Sequence, residues 1–130
     1  MLVAAARRNG FAAYVGDGAN RWPAVHTLDA ARLYRLAVES APAGSRLHAA
    51  ADEGVPMRSI AEAIGRGLGV PARSFPVDKA TEALPGMLGA FTQADNPTSS
   101  ARTREILRWQ PTHAGLLADL AEGHYFANAT

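Results

Sequence analysis

The stretches of this chain able to form strands are too few and too short to make a sheet that stands alone. Phe11 to Val15, Pro23 to Thr27, Arg46 to Ala51 and Ala72 to Phe75 read as extended, none longer than six residues. An isolated pair of such strands is marginal in water. The pattern therefore predicts part of a sheet whose remainder lies elsewhere.

Between and after these strands the apolar spacing is helical. Residues 2–9 read as a helix that Gly10 stops. From Asp29, the expected N-cap, Ala30, Leu33, Leu36 and Ala37 recur at helical spacing until Pro42-Ala43-Gly44. Pro56 opens another helix, with Ile60, Ala61, Ile64 and Leu68 on one face and Gly69 past its end. Helical pieces over 78–84, 86–94, 99–108 and 114–124 follow, separated by Pro85-Gly86, Asn96-Pro97 and Pro111. Strands alternating with helices, then helices alone, predict an α/β class with a mostly helical tail. Residues 1–130 read as a single domain, able to bury roughly two thirds of its unfolded surface.

Composition narrows the function. A net charge of +1 gives no footprint for nucleic acid or an anionic membrane. No apolar run approaches the ~20 residues of a membrane span. The charges of Met1-Leu2-Val3-Ala4-Ala5-Ala6-Arg7-Arg8 follow the apolar stretch, the wrong order for a signal sequence. With no cysteine, a disulfide framework and a thiolate metal site are excluded, and a reducing, cytoplasmic setting is expected. Ser59 to Gly65 has the flavour of a first DNA-binding helix, but Pro71 and Pro76 leave no room for a recognition helix after it.

Several chemistries fail on spacing. A dinucleotide cradle needs glycines between a strand and a helix N-terminus. Gly16-Asp17-Gly18 is followed by an extended segment, and Gly65-Arg66-Gly67-Leu68-Gly69 sits at a helix end, so both read as structural glycines. Tyr14, Tyr34 and Tyr125 have Gly18, Val38 and Ala129 four residues on, so no Tyr-x-x-x-Lys pair exists for proton transfer. His26, His48, His113 and His124 are too far apart in sequence to suggest a metal site.

Three segments nevertheless occur in a suggestive order. Val25-His26-Thr27-Leu28-Asp29-Ala30-Ala31-Arg32 comes first. Leu47 to Gly54 follows, leading into Ser59-Ile60-Ala61-Glu62-Ala63-Ile64. Leu107-Arg108-Trp109-Gln110-Pro111 comes last. Together they resemble the C-terminal half of an extended or atypical short-chain dehydrogenase/reductase, the superfamily of NAD-dependent epimerases and dehydratases.

The resemblance implies the substrate-side portion of a Rossmann-type reductase. The dinucleotide-binding half, about half of such an enzyme, would lie upstream. It implies NAD or NADP in the intact enzyme, with none bound by this chain alone, and a small-molecule carbonyl or hydroxyl substrate. Sugar-nucleotide epimerases usually place an arginine four residues before the histidine, where Trp22 stands here, which favours a smaller or more apolar substrate. Substrate contacts would fall on Asn20, Arg21, Trp22 and His26. The residues themselves leave alternatives open: Asn20 and Arg21 as a solvated turn, Trp22 as core packing, His26 as a packed ring with one hydrogen bond. Trp109 and Pro111 would anchor the tail helices. Exposed sheet edges would favour self-association or a complementing N-terminal half. A self-standing, non-catalytic binding or interaction module is the second reading.

Overall fold

The computed structural model describes residues 1–84 and 86–127. Helix α1 (Leu2–Asn9) buries Ala5 and Ala6 and stops at Gly10, whose left-handed φ of 71° turns the chain. Strand β1 (Ala12–Val15) follows, then β2 (Arg21–Ala24) and the long helix α2 (Thr27–Ser40). Strand β3 (Asp52–Pro56) leads directly into α3 (Met57–Leu68) and β4 (Ala72–Phe75). The remainder is helical. A short 3₁₀ turn (Val77–Lys79) precedes α4 (Ala80–Ala83), α5 (Met87–Phe91), α6 (Ala101–Leu107) and α7 (Leu116–Ala121), and a second 3₁₀ turn (His124–Phe126) follows.

The strands form two separate pairs. β1 lies parallel to β4, from Ala12 opposite Ala72 to Val15 opposite Phe75, and β2 lies antiparallel to β3. Such pairs hold because helices cover them. The buried face of α3, through Met57, Ile60, Ala61 and Ile64, packs with Ala6, Ala12, Val55 and Leu120 in the main core. Each buried Ile or Met there contributes roughly 1.5–3 kcal/mol. The opposite face of α3 carries the Arg58–Glu62 pair one turn apart. A second cluster joins Leu33 of α2 to Leu107 and Trp109, so the tail is anchored as the sequence predicts.

Three expectations need correction. The strand expected at Pro23 to Thr27 runs instead from Arg21 to Ala24. Pro23 has no N–H to pair, and the register is irregular between Trp22 and Ala24. The strand expected at Arg46 to Ala51 begins only at Asp52, because pairing with β2 sets its extent. The backbone N–H of His48 goes to the Thr103 hydroxyl (2.7 Å) rather than to a strand. Asp29 is not the N-cap of α2; His26 is, its Nδ1 accepting the Leu28 N–H. Asp29 sits inside the first turn, where its carboxylate is drawn to the amides that follow Trp109.

Candidate functional site

Strand β2 brings together the residues singled out from the sequence. Asn20, just before it, donates its side-chain amide to the carbonyls of Thr92 (2.7 Å) and Ala94 (3.1 Å). The Arg21 guanidinium grips Asp95 through two bonds of 3.1 and 2.9 Å, and its backbone N–H reaches the same carboxylate. That bonding favours the charged forms, raising Arg21 and holding Asp95 below the usual carboxylate range. The Trp22 indole N–H donates to Ala94 O (3.1 Å), and its ring meets Phe91 edge-on at 6.5 Å. Three consecutive residues thus staple the segment after α5 onto β2. Sequence reasoning missed the partner segment, because Asp95 has no pattern linking it to Arg21.

Arg21 and Trp22 have different surroundings on β2. Arg21 packs toward Gly54, where an added Cβ would lie 3.2 Å from the Arg21 Cβ. Trp22 instead lines a groove of about 470 Å³, together with Pro23, Leu88, Leu116 and the α1 residues Leu2 and Val3. Among the described residues no charged side chain lines this groove. Its walls can hold an apolar body by contact, with Tyr125 as a polar group at its edge.

His26 lies two residues beyond β2, at the N-cap of α2, in a different setting. Its ring stacks on His113 with centroids 4.5 Å apart and planes 8° from parallel. Histidines distant in sequence are therefore neighbours in space, contrary to what their spacing suggests. Asp29, 1% exposed, accepts the backbone N–H groups of Thr112 and His113 and lies 3.0 Å from His113 Nδ1. Burial pushes the Asp29 carboxyl up. The His113 ring, the His113 and Thr112 amides and the His113 charge outweigh it and bring the carboxyl down to about 2.

A third cluster lies in the tail. Asp119, Glu122 and His124 bring one ligand atom each within 4.8 Å of one another, the single such group among the described residues. Asp119 already accepts the Tyr125 hydroxyl at 2.6 Å, which raises the Tyr125 pKa.

Three of the glycines in the two glycine-rich motifs are packed tightly against protein. A Cβ at Gly18 would lie 2.6 Å from that of Arg58, and one at Gly65 would lie 2.7 Å from Val70 O. A Cβ at Gly67 would strike the Phe126 ring. These glycines allow close packing, and the space above them is filled by protein.

No family model matches the chain. An uncharacterized protein of Schizosaccharomyces pombe is 48% identical over 126 residues, 97% of this chain and 42% of that protein. An uncharacterized protein of Saccharomyces cerevisiae is 44% identical over 120 residues, 92% of this chain and 40% of that protein. The chain thus spans about two fifths of the curated relatives it matches. Among solved structures it is similar to dTDP-glucose 4,6-dehydratase from Streptomyces venezuelae, with NAD and TYD bound (TM-score 0.67, 18% identity, 97% of this chain and 37% of that one). UDP-glucuronic acid 4-epimerase from Bacillus cereus, in complex with UDP-glucuronic acid and NAD, gives a TM-score of 0.65 at 17% identity, over 96% of this chain and 37% of that one.

The fold is α/β, with few short strands and many helices, as in the C-terminal part of Rossmann-type dehydratases and epimerases. Among the described residues no helix is long and apolar enough to cross a membrane.

Proposed function

We propose that this chain is the substrate-side portion of an NAD(P)-dependent oxidoreductase or epimerase-like enzyme acting on a small carbonyl or hydroxyl compound. The observation that carries the reading is the likeness to the NAD-bound dehydratase over 97% of this chain, at 37% of the other's length. The missing Tyr-x-x-x-Lys pair and the filled space above Gly18, Gly65 and Gly67 agree with it. Dinucleotide binding and proton transfer then belong to a complementing half, and the chain by itself is inactive. NAD or NADP would serve the complete enzyme.

In this reading the chain's own residues hold and orient substrate. Trp22, Pro23 and Leu88 contact its apolar body and exclude water from it. Asn20 and Arg21 act one step back, fixing the segment after α5 and with it Phe91 against Trp22. Exposed Met1, Met87 and Phe91 would be covered by the complementing half or by self-association. The reading of a self-standing binding module draws on one observation: among the described residues no buried side-chain nitrogen or oxygen lacks a partner.

The test is a fusion of this chain behind the part of the fission-yeast relative that it does not span, assayed for NAD(P)H oxidation with small ketones and aldehydes. Turnover is expected. Trp22→Ala in the fusion should raise KM roughly tenfold with kcat little changed, the loss of about 1.4 kcal/mol of contact. Turnover by the 130-residue chain alone would overturn the proposal.

A further inference from the structure

The two stacked histidines hold their protons in opposite places. His26 Nδ1 accepts the Leu28 N–H at 3.2 Å, so that nitrogen is bare and the proton of the neutral ring sits on Nε2. His113 Nδ1 lies 3.0 Å from Asp29 Oδ1, and a carboxylate only accepts, so His113 carries its proton on Nδ1. The first ring caps α2, and the second ties the segment after α6 to the buried Asp29. Their parallel faces, 4.5 Å apart, join the two.

We infer that His26 and His113 form a pH-sensitive latch between the start of α2 and the segment that follows α6, closed while His26 is neutral and released when it is protonated. A proton on His26 Nδ1 points at the Leu28 N–H and abolishes the cap. It also adds positive charge at the positive end of the helix dipole and against the neighbouring imidazole. His113 responds differently, since its Nδ1 donates to Asp29 in both of its charge states. Histidine is the residue type whose charge changes between about pH 5 and 8. Asp29 stays ionised throughout that range, with its carboxyl at about 2.

Charged and titratable groups surround this corner from several elements. Asp29 and Arg32 face this corner from α2, with Arg32 Nη2 3.8 Å from Asp29 Oδ1. His113 faces it from the segment after α6, and Asp52 faces it from β3 opposite Ala24. Asp119 of α7 and Tyr125 share a cavity of about 60 Å³ with His26, and His124 lies 3.9 Å from Asp119. Three of these groups are carboxylates. Each already has a donor: Asp29 from Thr112 and His113, Asp52 from the Leu116 N–H, Asp119 from the Tyr125 hydroxyl. The Leu28 N–H therefore loses its acceptor when His26 charges. Release loosens the corner that carries Trp22 to Val25, whatever ligand that face takes.

NMR of the complete 130-residue chain tests this directly. At pH 7.5 the imidazole nitrogens should show His26 as the Nε2–H tautomer and His113 as the Nδ1–H tautomer. Between pH 7.5 and 5.5 the Leu28 amide should titrate, with its exchange protection, corrected for intrinsic rate, falling roughly fivefold as the cap is lost. His26→Asn keeps a capping acceptor that does not titrate, so its Leu28 amide should stay constant. The inference is overturned if wild-type Leu28 is constant over this range, if it still titrates in His26→Asn, or if both histidines share one tautomer.

Discussion

The indole N–H of Trp109 donates to the backbone carbonyl of Asp29 at 3.0 Å, joining residues eighty positions apart in a fully buried contact. The Asp29 carboxylate faces the same way and receives the amides of Thr112 and His113. One residue at the start of α2 thereby fixes both ends of the turn after α6. The segment that follows β2 and the helical tail are locked to a common point.

Replacing Asp29 should therefore be costly. Asp29→Ala strands two backbone N–H groups and a half-exposed imidazole, at a cost on the order of 3 kcal/mol. The pH dependence has a definite sign. The folded-state value of about 2 lies below the ordinary carboxylate value of 3.8, so this stability is complete above about pH 4 and is lost as pH falls through about 2. Urea melts at pH 6, 4 and 2 should show that acid loss in the wild type and a flatter limb in Asp29→Asn. Equal acid limbs would contradict the assignment.

The staple on β2 should be unequal in strength. Arg21 and Asp95 are each about half exposed (48% of either side chain), so their bidentate pair should contribute little, and less as salt is added. Asn20 reaches a part-buried carbonyl, and Asn20→Ala should cost about 1–2 kcal/mol. Thermal melts of the two variants should rank Asn20→Ala as the more damaging. Trp22 fluorescence should change with it, since both residues hold the same segment.

Gly65 lies in the middle of α3, where alanine is favoured over glycine by about 1 kcal/mol. The Cβ of Gly65→Ala would sit 2.7 Å from the Val70 carbonyl, which is backbone and yields little. Overpacking of that kind costs about 1–3 kcal/mol. A net loss of stability is expected in chemical denaturation, and a gain would show that the α3–β4 turn can open.

Much of this architecture is legible in the sequence, because local chemistry dictates it. Gly10 and Gly69 end helices in the left-handed region, and Pro56 stands immediately before α3. Trp109 is large, apolar and set beside a helix end, and it is buried against Leu33. The errors fall where a distant partner decides. Asp29 has the residue type of a cap, yet the amides of Thr112 and His113 compete for its carboxylate and leave the capping to His26. The strand at Asp52–Pro56 takes its limits from β2, which its own residues do not encode. Asn20, Arg21 and Trp22 can be singled out, but their common attachment to residues 92–95 is a property of the fold.

In the proposed function this chain supplies the substrate side of an enzyme completed by another half. The most direct measurement is absorbance at 340 nm with NADH or NADPH and a panel of small carbonyl compounds. Three samples are needed: this chain, the part of the fission-yeast relative that it does not span, and the two mixed. The account predicts turnover in the mixture and none in this chain alone. Turnover by this chain alone, or a soluble mixture that neither binds NAD(P)H nor reduces any carbonyl compound, would contradict it.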